Sequence, residues 1–339
     1  MWNPDSYLKK LTSDIQPRLK FHQSSDWRQW KEELVKRFTS LLGGFPEQPA
    51  ALEAVVLERV RFDDYIQERV EITTYEGLRM PLYVLIPRQD QQKFPSVIAL
   101  HGHGYGSREI VGLEPDGSIR SGDPGLHKDF AVELVKRGFI VAAPELIGFG
   151  DRRFEVDKEA APGKSSCFHI AAQLLLAGQT VAGYRVYETM RVVDYLQTRG
   201  EVQHQQIGCM GISGGGLVAA FTAALDERIQ ATAVSGYANT FADSIVKVGH
   251  CLDNYIPGLL LEAEMSDIIG LIAPRSLLIE SGDQDRVFPV AGARKAVEAL
   301  ERIYDSVGAS DRLETDFFHG GHEISGAKAY DWFELLKNE

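Results

Sequence analysis

Six short apolar runs punctuate the chain: "PSVIAL" (95–100), "FIVAAPE" (139–145), "QIGCMGI" (206–212), "IQATAVSGY" (229–237), "PRSLLIESG" (274–282) and "LETDFFHGG" (313–321). Most are continuously apolar, with little polar alternation. A strand of that kind is buried on both faces. Helix-patterned segments stand between most of them: "KDFAVELVKRG", a long stretch from about 168 to 198, "GGLVAAFTAALDE" and "VAGARKAVEALERIYDSVG", with a last helix over the final dozen residues. Strand–helix alternation allows few topologies. It requires right-handed crossovers and a largely parallel sheet covered by helices on both faces, an α/β architecture.

Two other patterns precede the first run. "SSDWRQWKEELVKRFTSLLGG" offers Ser25 or Asp26 as an N-cap and Gly43 as a stop. Trp27, Trp30, Leu34 and Phe38 recur at helical spacing and predict one apolar stripe. "LERVRFDDYIQERVEITTYEGLRMPLYVLIPR" alternates apolar and polar residues and turns at Glu76-Gly77, which predicts an antiparallel strand pair at one edge of the sheet. The expected organisation is a helical extension over residues 1–55, packed on a catalytic domain over 56–339. The irregular stretch 237–273 is expected to overhang a pocket.

The net charge of −12 on 339 residues argues against nucleic acid or an anionic membrane as a partner. Three cysteines, Cys167, Cys209 and Cys251, make a poor disulfide framework. No signal-peptide layout opens the chain and no run nears the roughly 18 apolar residues of a membrane span. A cytoplasmic protein is expected. Its oligomeric state is left open.

"GISGG" (211–215) places Ser213 in a G-x-S-x-G pattern after a strand and before a helix. A serine at so sharp a turn needs small neighbours two residues away, and the following helix N-terminus favours negative charge on a bound oxygen. A serine hydroxyl is a poor nucleophile without a base, and the base needs an orienting carboxylate. On this architecture the chain order is Ser, then acid, then His. His322, in "FFHGGHEIS", is the expected base; two glycines carry it beyond its competitor His319 onto a loop. Asp285, in "LLIESGDQDRVFPV", is the expected acid, leaving Asp283 to bond its own backbone in the turn. The Gly214 N–H and the backbone N–H of His103, in "LHGHGYG", are the expected oxyanion donors. The His101 ring is expected to tie that loop down.

Around these residues, Tyr105, Glu145, His250 and Tyr255 are candidate pocket walls. Cys251 beside His250 could form a reactive pair, although pocket lining is the commoner role. The His101-x-His103 pair invites a metal, but Asp123 and His127 nearby complete no fixed ligand pattern, so no metal and no cofactor are predicted.

Together these pieces resemble the α/β-hydrolase superfamily, in particular its dienelactone-hydrolase-like and acetyl-xylan-esterase-like bacterial members. The motifs are "MPLYVLIP", "LHGHGYG", "APELIGFGDR", "GISGGG", "LIAPRSLLIESGDQDRVFPV" and "GGHE". The resemblance runs from about residue 70 to the end. It implies the α/β-hydrolase fold and the roles of Ser213, Asp285, His322, Gly214 and His103 given above. Two departures stand out. Esterases of the cephalosporin-deacetylase type carry R-G-Q-G and a glutamine after the serine, where this chain has "LIGFG" and Gly214. Dienelactone hydrolases use cysteine where this chain has Ser213. The expected activity is serine-dependent hydrolysis of a small or short-acyl carboxylic ester. Thioester, peptide or acyl-transfer chemistry on the same triad, or a non-catalytic binding role, are the alternatives.

Overall fold

The structure, a computed structural model, describes residues 2–337; Met1 and the last two positions of the expected C-terminal helix lie outside the described residues. Nine strands form one sheet: β1 (Val55–Arg61), β2 (Tyr65–Tyr75), β3 (Leu78–Pro87), β4 (Phe94–Leu100), β5 (Ile140–Pro144), β6 (Val202–Ile212), β7 (Ile229–Ser235), β8 (Ser276–Gly282) and β9 (Leu313–Phe318). Their order is β1-β2-β3-β5-β4-β6-β7-β8-β9. From β5 through β9 all pairs are parallel, while β1, β2 and β3 run antiparallel at one edge. This is the α/β-hydrolase arrangement that the motifs imply. The apolar runs behave as their composition requires: every residue of β4 and β5 is buried. The antiparallel edge is longer than the expected pair. β1 is a third strand, exposed along its whole length, and Gly77 makes the β2–β3 turn at φ +76°.

The helix Trp27–Leu42 starts and stops where its caps dictate. The Asp26 carboxylate accepts the Arg28 and Gln29 N–H groups, and Gly43 closes the helix at φ +107°. Trp30, Leu34, Phe38 and Leu42 are its buried face, with Trp27 only half-buried at the rim. Phe38 meets Phe221 edge-on at 4.9 Å, which packs this helix against Gly214–Leu225. Burying each of these side chains contributes roughly 1.5–3 kcal/mol.

Two helical expectations need correction. The stretch 168–198 is two helices, Cys167–Leu176 and Val181–Thr198. Gly178 turns between them at φ +71°, and Thr180 starts the second by accepting the Gly183 N–H while donating to the Leu42 carbonyl. The C-terminal helix is a single turn, Ala329–Trp332, continued as a 3₁₀ turn over Phe333–Lys337. Phe333 and Leu336 lie so close over Gly208 of β6 that a Cβ there would come within 2.7 Å of the Phe333 ring.

The stretch between β7 and β8 is folded rather than loose. It holds short helices at Leu259–Glu262 and Met265–Gly270. The N-terminal segment is tied to it. Arg18 and Arg37 pair with the buried Glu262, and the Phe21 N–H donates to Asp267.

Candidate active site

Ser213 stands at the end of β6 with φ +57° and ψ −123°, a backbone state that costs a non-glycine residue about 1–3 kcal/mol. Neighbouring bonds hold it there. Its N–H donates to the Ser235 carbonyl at 3.0 Å, and its own carbonyl accepts the Leu217 N–H at 2.9 Å. Three of the four glycines are sterically required. A Cβ on Gly211 would fall 2.2 Å from the Gly215 carbonyl oxygen, one on Gly215 2.1 Å from that of Leu100, and one on Gly216 2.9 Å from that of Ser235. Gly214 is different. Its nearest neighbour would be His103 Nδ1, at 3.4 Å, an ordinary contact.

The loop after β8 presents its two acids in opposite directions. Asp285 is buried; its Oδ2 lies 2.7 Å from His322 Nδ1, and its Oδ1 accepts the N–H groups of Val287 and Phe288. Asp283 turns outward, 3.1 Å from the exposed His319 Nδ1, and accepts the Gly320 N–H. Asp283 also bonds its own backbone N–H, as expected of a turn residue, and in addition staples the β8 loop to the β9 loop. The His322 ring stacks on Phe288 at 5.7 Å. Gly236, at φ +51°, leaves room for it, since a Cβ there would lie 3.1 Å from the imidazole.

The loop after β4 presses on Ser213 from the other side. A Cβ on Gly102 would lie 3.2 Å from Ser213 Cβ. Two buried imidazoles fix this loop. His101 Nδ1 lies 2.8 Å from the Gly102 carbonyl, and Nε2 accepts the Leu146 N–H. Burial pushes this ring down to about 3, so it is neutral, as both bonds require. His127 Nε2 accepts the Gly102 N–H at 2.9 Å, with Nδ1 3.2 Å from Glu109 Oε1. In the sequence His127 presents itself only as a metal-ligand candidate; no local pattern announces a partner 25 residues upstream.

Ser213 and His322 line one cavity of about 250 Å³, shared with His103, Leu126, His250, Cys251, Asn254 and Val287. Of the four residues expected as pocket walls, His250 alone is among those lining it. The Tyr105 hydroxyl is taken up by the Leu113 carbonyl and Arg120. Glu145 is wholly buried beneath the β4 loop, accepting from the Ser107 N–H and hydroxyl, and burial raises its carboxyl above the usual range. Tyr255 donates to the Ile245 carbonyl. His250 and Cys251 do not pair, because the His250 Nε2 bonds the Ser244 hydroxyl.

Behind the cavity lies a charged knot that no sequence motif marks. Arg185, fully buried, donates to Asp253 Oδ2 at 2.5 Å and to Cys167 Sγ at 3.0 Å. Burial alone would raise Asp253, but Arg185 and His103 outweigh it and hold the carboxyl low. Cys167 is held low by the Cys251 hydrogen bond and by Arg185. Cys209 is the opposite case: in the core beneath the elbow, burial drives its thiol up and leaves it inert. Among the described residues no helix is long and apolar enough to cross a membrane.

The chain is similar to "Putative hydrolase YtaP" of Bacillus subtilis, with 30% identity over 301 residues covering 86% of this chain and 94% of that protein. Among solved structures, a "putative acetyl xylan esterase (BF1801)" of Bacteroides fragilis superposes with TM-score 0.84 at 18% identity, covering 100% of this chain and 96% of that one. A glucuronoyl esterase of Solibacter usitatus gives 0.64 at 15% identity, over 96% and 98% of the two chains. These likenesses show the fold. The model of the abhydrolase family matches residues 5–316, nearly the whole molecule. With the sheet order, the strained serine turn and this match together, the chain belongs to the abhydrolase family.

Proposed function

We propose that the protein is a serine-dependent carboxylic ester hydrolase working through an acyl-enzyme. One observation carries this reading: the strained Ser213 shares a cavity with His322, whose far nitrogen is held by the buried Asp285. The His322 Nε2 takes the Ser213 proton as Oγ attacks the ester carbonyl. Asp285 keeps the remaining proton on Nδ1 and stabilises the imidazolium. The N–H groups of Gly214 and His103 hold the oxyanion, aided by the N-terminus of the helix Gly214–Leu225. His322 then protonates the leaving alcohol and activates water to release the acid.

The cavity's modest volume favours a small or short acyl group. The ester reading draws support from fold neighbours, among them proteins named as a "putative acetyl xylan esterase", a methylesterase and glucuronoyl esterases. The test is turnover of p-nitrophenyl acetate and labelling by a fluorophosphonate. Ser213→Ala should abolish labelling and lower kcat on the order of 10⁶-fold. Retained turnover in that variant would overturn the mechanism. Lengthening the acyl chain from acetyl to octanoyl should lower kcat/KM.

A further inference from the structure

Four ligand-bearing side chains from three separate segments meet behind the cavity. His103 follows β4, Cys167 opens the helix Cys167–Leu176, and Cys251 and Asp253 belong to the stretch that lines the cavity wall. One ring nitrogen, two thiol sulfurs and one carboxylate oxygen all lie within 4.8 Å of one another. Zinc bonds of about 2.0–2.3 Å in a tetrahedron put neighbouring ligand atoms roughly 3.3–3.8 Å apart. His103 Nε2 and Asp253 Oδ2 are already 3.5 Å apart, and Cys167 Sγ and Asp253 Oδ2 3.9 Å.

A second observation concerns where the His103 ring points. Its Nε2 is buried and is turned to this group, facing Asp253 Oδ2 at 3.5 Å and the Cys167 thiol. Charge gives a third. As metal ligands both thiols lose their protons, and with the carboxylate they carry three negative charges, while Arg185 supplies one positive charge to the same knot. A divalent cation supplies the other two, making the buried set neutral. Around it, Arg185 would remain on Cys167 and Asp253, and Asn254 Nδ2 donates to Asp253 Oδ1 at 2.8 Å, the kind of outer bonds that orient metal ligands.

We propose that His103, Cys167, Cys251 and Asp253 bind one thiophilic divalent cation, of the zinc class, as a structural site. Sulfur and imidazole donors select such ions over magnesium or calcium. Four protein ligands fill a tetrahedral shell and leave no open position for a reacting water. The ion joins the cavity wall at 251–253 to the loop after β4. The inference does not depend on the ester chemistry of Ser213.

The full chain, expressed without a histidine tag and purified without chelator, should carry about one zinc per molecule by elemental analysis. Stripped with a chelator and titrated with Co²⁺, it should develop an intense thiolate-to-cobalt charge-transfer band and tetrahedral d–d bands in the visible. Cys251→Ser should lower cobalt affinity at least about 10–100-fold and weaken the charge-transfer band. The stripped protein should also melt at a lower temperature, restored by Zn²⁺. The wild-type titration stands even if the variant fails to fold. A folded wild-type apoprotein that shows no thiolate–cobalt band overturns the proposal, and Arg185 is then the knot's only cation. A Cys167–Cys251 disulfide in freshly purified protein under non-reducing conditions overturns it too.

Discussion

His322 Nδ1 lies 2.7 Å from Asp285 Oδ2, and the other oxygen of that carboxylate is held by two backbone N–H groups. The acid therefore cannot swing away, and it sets which ring nitrogen bears the proton. Asp285→Asn keeps an oxygen for the backbone donors but turns an amide N–H toward Nδ1, which favours the wrong tautomer. We expect kcat to fall on the order of 10⁴-fold with little change in KM. Asp283→Asn, on the outward acid, should stay within about threefold. Steady-state kinetics on p-nitrophenyl acetate would separate the two; equal losses would remove Asp285 from its role.

The Gly102 N–H has one acceptor, His127 Nε2, and Gly102 leans on Ser213. Replacing His127 by Leu orphans that N–H and frees the loop that carries His103, the proposed oxyanion donor. A contact that matters mainly in the transition state lowers kcat and kcat/KM together. We expect both to drop about 10–100-fold in His127→Leu, with KM nearly constant. His127→Gln, which offers an oxygen to the same N–H, should recover part of the loss. A variant with a raised KM and an unchanged kcat would instead assign His127 to substrate binding.

Legibility in the sequence followed the range of the interaction. The elbow at Ser213 could be read because part of its demand is local: a Cβ on Gly211 is excluded by the Gly215 carbonyl four residues on. The strands could be read from composition, since β4 and β5 are buried on both faces. The loops that bring Asp285 to His322 could be read from the strand ends that carry them. What escaped depended on distant partners. Arg185 and Asp253 are 68 positions apart, and no pattern in either neighbourhood announces the other. Tyr105 and Glu145 looked free to line a pocket because Arg120 and Ser107, which occupy them, are brought near only by the fold. The division of 168–198 turned on Thr180, whose second bond goes to Leu42 across 138 positions.

The four elbow glycines should not respond alike to alanine. At Gly215 the new methyl would lie 2.1 Å from the Leu100 carbonyl oxygen, a backbone atom that cannot step aside. Overpacking of that kind costs typically about 1–3 kcal/mol and sometimes more. Gly215→Ala should therefore lower the urea midpoint sharply or leave the protein insoluble. Gly214→Ala meets nothing closer than 3.4 Å and begins a helix, where alanine is favoured. Its midpoint should match or exceed the wild type. Equal destabilisation by both would mean that the elbow is not the tight turn described.

Stability should also decline as pH rises from about 4.5 toward 7, and Glu280 gives the sign. It sits on β8 beneath the acid loop, accepting from the Ser235 hydroxyl and the N–H groups of Ser325 and Gly326. Burial outweighs those donors and pushes its carboxyl from the ordinary 4.5 to about 7. Below pH 4.5 both folded and unfolded chains hold the proton. Between about 4.5 and 7 the unfolded chain releases it while the folded chain keeps it, so each pH unit costs up to about 1.4 kcal/mol. Above 7 the slope ends, after a loss of about 3 kcal/mol. Glu264, likewise raised to about 7 by burial, adds a second contribution of the same sign. Glu280→Gln cannot titrate. It turns an amide against one backbone N–H, a cost of about 1–3 kcal/mol that is the same at every pH. Urea unfolding of wild type and variant from pH 5 to 8 should give a shallower slope for the variant, by close to one proton. Parallel curves would show that Glu280 is already ionised in the folded protein at pH 5.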